Sequence, residues 1–180
     1  MPDDELTPAL HAAQNGDAAG FATLWRALHP AVLRYLRVVA GDHAEDAASE
    51  TWLHVIRDLD RFHGDTTAFR GWLFRIARHR GLDEIRRQSR TRESPASIPS
   101  AAPDAASQAA DHASTGWALA MIAALPPDQA EAVMLRTVIG LDVATTAQIL
   151  GKKPGAVRIA TMRGLRRLAT NPQIRTRQGV

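Results

Sequence analysis

The chain has 180 residues, of which 45% are hydrophobic, so it can form one globular domain or two small ones. Its net charge is only +3, which excludes a uniformly polybasic arm, and the absence of cysteine excludes disulfides and thiolate metal sites. The first ten residues lack the basic and apolar regions of a signal peptide. No apolar run approaches the ~20 residues that a membrane helix needs. We therefore expect a cytoplasmic protein without membrane insertion.

The N-terminal half is predicted to be helical. Asp17 can cap a helix with apolar residues at helical spacing, and Pro30 should kink or restart that helix. Glycine-aspartate pairs at 41–42 and 64–65 then delimit a third and a fourth helix. Their predicted apolar faces comprise Ala44, Ala48, Thr51, Trp52, Val55 and Leu59 in the third helix, and Phe69, Trp72, Leu73 and Ile76 in the fourth.

Residues 89–114 interrupt this pattern. They are mostly alanine, serine, proline and aspartate, with almost no large apolar side chain, which predicts a flexible linker. Such a linker should leave the flanking domains mobile until a partner fixes them. The predicted fold is all-α, with two small helical domains, residues 1–88 and 115–180, on either side of the linker.

The C-terminal domain has the layout of a helix-turn-helix. Asp142 can cap a short helix, Gly151 suits the turn, and Pro154 fits the first turn of the next helix. That helix is predicted to direct Val157, Thr161, Leu165 and Leu168 inward. Six positive charges and no acid lie in residues 152–167, namely Lys152, Lys153, Arg158, Arg163, Arg166 and Arg167. A basic helix after a tight turn favours DNA binding over an ordinary basic surface.

The third helix has an acidic outer face. Asp46 and Glu50 lie four residues apart, where like charges repel, and Leu53 lies on the same side. This arrangement suits contact with a basic protein surface, although a solvated helix face is the alternative. His43, Glu50 and His54 are candidate metal ligands by residue type, and Glu50 and His54 share a helix face, but no second such pair occurs, so no metal site is predicted.

The fourth helix combines arginines with an aromatic residue that lies away from its apolar stripe, Phe74. Gly81 is a predicted break, so residues 79–82 should form a loop between two helices. The polar residues of this segment include Arg75, Arg78, His79, Arg80, Arg86 and Arg87. Arginines beside an aromatic ring and a pliable loop suit a separated DNA strand or a base turned out of the stack. In the alternative interpretation, Phe74 belongs to the core and the arginines only solvate the surface.

The chain resembles the extracytoplasmic-function sigma factors of bacterial RNA polymerase. The resemblance covers about residues 21–168 and rests on the ordered segments AEDAASETWLHV, FRGWLFRIARHRGLDEIRR, a polar linker, LPPDQAEAVMLR and GAVRIATMRGLRRL. It implies a sigma-2 domain that binds the polymerase clamp and opens the −10 element. It also implies a sigma-4 domain that reads the −35 element.

The resemblance assigns roles to three groups of residues and implies a non-enzymatic protein without cofactors. Its implied partners are core RNA polymerase, promoter DNA and an anti-sigma factor. The polymerase-binding residues are Asp46, Glu50 and Leu53. The −10 residues are Phe74, Arg75, Arg78, His79, Arg80, Asp83, Arg86 and Arg87. The −35 residues are Lys152, Lys153, Arg158, Thr161, Met162, Arg163 and Arg166.

Some positions depart from the family pattern. His79 stands where asparagine is usual, and Lys153 stands where a serine cap is usual. Ile159 and Ala160 replace the usual serine-arginine pair of the recognition helix. These changes fit either an altered −35 preference or a sigma-4 domain that binds a regulator more than it binds DNA.

Two other classes of function remain as alternatives. An independent helix-turn-helix regulator would bind duplex DNA alone, usually as a dimer, but it would leave the acidic helix without a role. An enzyme is disfavoured, because the sequence has no glycine-rich phosphate loop, no nucleophile elbow and no paired metal-ligand helices.

Overall fold

The computed structural model describes residues 6–92 and 109–177, and side chains within residues 6–90 and 115–174. All the regular elements in these ranges are helical, which confirms the predicted all-α class. The first group of helices is α1 (Thr7–Gln14), α2 (Ala18–Ala40), α3 (Ala44–Asp58) and α4 (Thr66–Arg92). Short 3₁₀ turns, Gly41–His43 and Leu59–Arg61, flank α3.

The second group of helices follows residues 93–108. It consists of α5 (Ala109–Ala123), α6 (Pro127–Val133), α7 (Val143–Leu150), α8 (Pro154–Ala169) and α9 (Pro172–Arg177). A short π-helix, Met134–Val138, continues α6. The predicted linker is therefore too long at both ends, because residues 89–92 belong to α4 and residues 109–114 belong to α5. Its middle lies outside the described residues.

Local signals start the helices much as predicted. The Asp17 carboxylate accepts hydrogen bonds from the amides of Ala19 and Gly20, and α2 then continues through Pro30 without a break. At the start of α4, the Asp65 carboxylate accepts a hydrogen bond from the amide of Ala68 at 2.8 Å. The predicted apolar faces of α3 and α4 are confirmed, since their residues are buried except for the half-buried Trp72.

The predicted break at Gly81 is wrong. Helix α4 is uninterrupted to Arg92, so residues 79–82 are helical rather than a loop. A Cβ at Gly81 would lie 3.0 Å from Leu36 Cδ2 and 3.2 Å from Val39 Cγ1. The glycine is therefore explained by the close approach of α2 and α4, which a single-helix pattern does not reveal.

The two groups of helices contact each other. Helix α2 packs against α5 and α6, and α4 packs against α7, so buried apolar residues from both groups form one connected cluster. The two groups are thus in contact in this structure, and the predicted mobility of the domains before a partner binds stays a prediction. They meet as one folded unit over an interface that includes polar side chains.

Candidate nucleic-acid interface

Three local features place the basic helix α8 at the surface. The Asp142 carboxylate accepts from the amides of Ala144 and Thr145, at 2.7 and 2.9 Å, and so caps α7. Gly151 then adopts the left-handed conformation, with φ at +64°, and Pro154 begins α8. The predicted turn chemistry of the helix-turn-helix is confirmed.

The positive charges of α8 face solvent. The exposed members of the predicted −35 group are Lys153, Arg158, Met162, Arg163 and Arg166. Thr161 is half-buried and donates to the carbonyl of Val157, while Lys152 forms an ion pair with Asp128. Within the described residues, no salt bridge engages the four arginines or Lys153 of α8. Leu165 is exposed, contrary to the prediction, because Gly164 lies against α6 in its place.

Helix α4 brings most of the predicted −10 residues to one open cleft of about 420 Å³. The residues that line it are Arg78, His79, Arg80, Leu82, Asp83 and Arg86. His79 and Arg86 are exposed at its mouth, and Arg75 is exposed one turn before it. The cleft is thus lined by three guanidinium groups and one imidazole, which suits a phosphate backbone or a base edge.

Several arginines of α4 already have protein partners. Arg78 Nε donates to Glu131 Oε2 at 2.6 Å, and Arg80 Nη2 donates to His54 Nδ1 at 3.0 Å. Two further pairs join residues three apart on the helix, Arg86 with Asp83 at 3.3 Å and Arg87 with Glu84 at 3.0 Å. More of the side chains predicted to contact the −10 element are therefore engaged in internal contacts than of those predicted to contact the −35 element.

The Arg78 contact is largely shielded from solvent. Burial alone lowers the pKa of Arg78, but the hydrogen bond and the charge of Glu131 outweigh it, so the pKa is raised. Burial and the Glu131 charge raise the pKa of Tyr35 well above its usual range. Both groups therefore keep their protons, and both donate to the same carboxylate.

His54 holds Arg80 in place from the neighbouring helix. Burial, followed by the charge of Arg57, lowers the pKa of His54. A guanidinium can only donate, so Nδ1 accepts from Arg80 and from Arg57, while Nε2 faces Asp58 Oδ2 at 3.1 Å. Sequence reasoning missed this positioning role, because it joins residues 26 apart on two helices.

The placement of Phe74 contradicts its predicted role at the −10 element. Its ring is fully buried and meets Tyr35 edge-on, with the ring centroids 5.7 Å apart. Helix α4 has a second buried face because α2 and the C-terminal helices cover it. Phe74 therefore belongs to the core, and it offers no surface on which a base could stack.

The acidic face of α3 is exposed as predicted. Asp46, Glu50 and Leu53 all face solvent, and Leu53 is 60% exposed. Ile56, which sequence reasoning missed, is 57% exposed. It lies three residues after Leu53, so the helical period was the signal that could have identified it. The face combines two carboxylates with two large apolar side chains.

One group of side chains has the spacing of metal ligands. Potential ligand atoms of His43, Asp46 and Glu84 all lie within 4.8 Å of one another. The Glu84 carboxylate, however, already accepts from Arg87 at 3.0 Å. The expectation that the chain has no metal site stays a prediction.

Comparisons with known proteins agree with this arrangement. The model of Sigma-70 region 2 matches residues 24–91, and that of Sigma-70 region 4 matches residues 115–168. The ECF RNA polymerase sigma factor ShbA of Streptomyces griseus is 34% identical, over 93% of this chain and 97% of that protein. The ECF RNA polymerase sigma factor SigD of Mycobacterium tuberculosis is 32% identical, over 93% and 84%.

Solved structures show the same fold at lower identity. CnrH in complex with the cytosolic domain of CnrY has a TM-score of 0.64 and 20% identity, over 91% of this chain and 94% of that chain. The sigma factor RpoE in complex with the anti-sigma factor NepR, from Bartonella quintana, has a TM-score of 0.65 and 22% identity, over 82% and 93%. Among the described residues, no helix is long and apolar enough to cross a membrane.

The matched regions contain both basic surfaces and the acidic face of α3, in the order that the sequence resemblance implied. The relatives are transcription initiation factors and not enzymes. The chain belongs to the extracytoplasmic-function sigma factors, which direct bacterial RNA polymerase to promoters.

Proposed function

We propose that this sigma factor reads the −35 element with α8, opens the −10 element with the cleft of α4, and binds core polymerase with the acidic face of α3. The proposed division is residues 1–92 for polymerase and −10 contacts, 93–108 for the linker and 109–180 for −35 contacts. The chain would act in the cytoplasm, where the polymerase and the promoter are.

The exposed cationic face of α8 carries this proposal. Lys153, Arg158, Arg163 and Arg166 are exposed and lie on one helix that follows a tight turn. A helix of this kind enters the major groove with its N-terminal residues against the bases, while its other cations neutralise phosphates. Each phosphate contact releases counterions, so binding should weaken steeply with added salt.

The −10 step requires the cleft of α4 to hold one strand or one base. His79 lies at the centre of the basic segment and can donate or accept a hydrogen bond, while Arg80 and Arg86 flank it. Extraction of a base from the stack costs a few kcal/mol, which contacts to the flipped base and its phosphates must offset. We assign base preference to His79 and strand retention to the arginines.

We also infer that an anti-sigma factor regulates this chain. The titles of two similar structures describe sigma factors bound to the regulators CnrY and NepR. On α8, the exposed apolar residues Ile159, Met162 and Leu165 lie beside the arginines. An apolar partner helix could cover these residues and thereby compete with DNA for α8.

Association with polymerase tests the proposed function directly. The chain is mixed with bacterial core RNA polymerase, separated by size-exclusion chromatography, and assayed by run-off transcription on fragmented host DNA. We expect co-elution and new transcripts, whose start sites define the −10 and −35 sequences. Tight, salt-dependent binding to duplex DNA without co-elution would instead indicate an independent helix-turn-helix regulator.

A further inference from the structure

One arginine of the cleft on α4 is held by a neutral group. Arg80 Nη2 donates to Nδ1 of His54, on α3, at 3.0 Å. Burial, followed by the charge of Arg57, lowers the pKa of His54, so its imidazole is uncharged at neutral pH. Since a guanidinium can only donate, Nδ1 is the acceptor and the ring proton lies on Nε2, 3.1 Å from Asp58 Oδ2. Side chains of both helices therefore select one tautomer of His54.

The neighbouring arginines of α4 differ from Arg80 because each has an acidic partner. Three ion pairs join a guanidinium to a carboxylate, namely Arg78 to Glu131, Arg86 to Asp83 and Arg87 to Glu84. A carboxylate offsets the charge that an arginine offers to DNA, whereas a neutral imidazole offsets none of it. In the part of the chain that the structure describes, no acidic side chain forms an ion pair with Arg80.

The acid beside His54 does not offset the charge of Arg80 either, because that acid is already paired. Arg57 Nε donates to Asp58 Oδ1 at 3.2 Å, and Arg57 Nη2 donates to Asp58 Oδ2 at 2.9 Å. The charges of Arg57 and Asp58 thus cancel each other, and His54 is neutral. The network that joins α3 to α4 therefore has one net positive charge, that of Arg80.

The contact with His54 occupies only one nitrogen of Arg80. Among the described residues, the guanidinium of Arg80 makes no other hydrogen bond, and Arg80 lines the cleft of α4. Its Nε and Nη1 groups therefore remain as donors for a phosphate oxygen. A side chain that is fixed before binding loses less conformational entropy in the complex than one that is mobile.

We propose that His54 is a positioning residue for the −10 strand: as a neutral acceptor it fixes Arg80 in the cleft, with its charge undiminished, for contact with a phosphate of the separated strand. The role of the cleft rests on the proposed function. The hydrogen bond between His54 and Arg80 does not, so the two can fail separately.

Strand binding by the complex with core polymerase tests the positioning role. His54→Ala removes the acceptor but no charge. It should weaken the binding of a labelled −10 single strand by about two- to tenfold, the cost of immobilising one long side chain, and leave the salt dependence unchanged. Arg80→Ala removes a phosphate contact, so it should also lower the salt slope by about 0.7. Fluorescence anisotropy at several salt concentrations measures both quantities.

Further variants separate positioning from a loss of structure. His54→Asn retains an acceptor, because its Oδ1 is bonded to Cγ as Nδ1 is in histidine, so it should bind the strand like the unaltered chain. In an Arg80→Ala background, His54→Ala should have no further effect, because no side chain is left to position. His11→Ala, at an exposed site on α1, is the matched control and should also bind like the unaltered chain.

Several binding results would overturn the positioning role. Unchanged affinity in His54→Ala would remove His54 from strand binding, and tighter binding would show that it withholds Arg80 from the strand. A loss in His54→Asn as large as that in His54→Ala would show that the acceptor is not what matters. A loss from His54→Ala that persists in the Arg80→Ala background would show that His54 does not act through Arg80. Circular dichroism checks that each variant retains its helices.

Nitrogen-15 NMR of the histidine rings tests the hydrogen bond in the free chain, without polymerase or DNA. The signals that disappear in His54→Ala are those of His54. At neutral pH we expect a proton on Nε2 and none on Nδ1, and Arg80→Ala should shift the Nδ1 resonance. A proton on Nδ1, or no shift in Arg80→Ala, would refute the contact. If the unaltered chain with polymerase binds no −10 strand, the proposed function fails together with this role of Arg80, while NMR still decides the contact.

Discussion

The two basic surfaces of this sigma factor differ in how far their charges are already engaged. On α8, Arg158, Arg163 and Arg166 are exposed, and no salt bridge among the described residues engages them. On α4, Arg78 is paired with Glu131 across the domain interface, and Arg80 is held by His54. The proposed −35 surface is therefore free for contact, while part of the proposed −10 surface is engaged in internal contacts. A surface that is already free costs less reorganisation on binding than one that must first break internal contacts.

The largest expected effect concerns the core that supports the −10 surface. Phe74→Ala removes a fully buried ring that contacts Tyr35, so it should lower the free energy of unfolding by about 3–5 kcal/mol. Ile85→Ala, on an exposed part of the same helix, should change it by no more than about 0.5 kcal/mol. Urea unfolding followed by circular dichroism measures both. A loss below about 1 kcal/mol for Phe74→Ala would return that residue to the DNA surface.

The next largest effect is expected in DNA binding by the proposed −35 surface on α8. Arg163→Ala should weaken binding to a −35 duplex by about 1–3 kcal/mol if the side chain reads a base. It should instead lower the salt slope by about one unit if the side chain neutralises a phosphate. Fluorescence anisotropy at several salt concentrations separates the two cases. Arg61→Ala, on an exposed turn outside both surfaces, is the matched control, and an equal effect of both substitutions would refute a specific α8 surface.

A smaller effect concerns the cap at the start of α7, the first helix of the helix-turn-helix. Asp142→Ala should cost about 1 kcal/mol of stability at neutral pH. The hydrogen bond from the Thr145 hydroxyl, followed by that from its amide, lowers the pKa of Asp142. A lowered pKa gives stability that is present above the ordinary aspartate pKa and is lost as the pH falls through the native value.

The difference between Asp142→Ala and the unaltered chain should therefore shrink in acid. Urea midpoints at pH 7 and near pH 3 measure this difference. A difference of the same size at both pH values would show that the carboxylate is not the stabilising group.

The smallest effect on stability is expected at the acidic face of α3. Ile56→Ala removes an exposed side chain, so the free energy of unfolding should change by no more than about 0.5 kcal/mol. Its affinity for core polymerase should nevertheless fall by about 0.5–1 kcal/mol if the face is buried in that complex. Competition with an unaltered, labelled chain measures the affinity. An unchanged affinity would remove Ile56 from the proposed interface.

Sequence reasoning predicted the α8 surface well, because its signals are local. The Asp142 cap, the Gly151 turn and the Pro154 start each act within a few residues, and the outward charges follow from the helical period. The prediction that Leu165 is buried was wrong, because its neighbour Gly164 packs against α6 instead.

The predictions for α4 failed where distant residues decide the outcome. Gly81 predicted a break in the helix, but the glycine instead allows α2 to approach α4 closely. Phe74 was predicted to lie off the core, but it packs against Tyr35 of α2 on a second buried face of α4. The hydrogen bonds from Arg78 and Tyr35 to Glu131 join residues 53 and 96 positions apart, so no local pattern could reveal them. The three-dimensional contacts of this helix depend on the whole fold.

Titration of the free chain with both promoter elements tests the difference between the two surfaces most directly. Once the transcript start sites have defined the sequences, a labelled −35 duplex and a labelled −10 single strand are each titrated with the chain, alone and with core polymerase. We expect the free chain to bind the duplex with a steep salt dependence. The −10 strand should be bound only with polymerase present. Equal binding of both DNAs by the free chain would contradict a masked −10 surface.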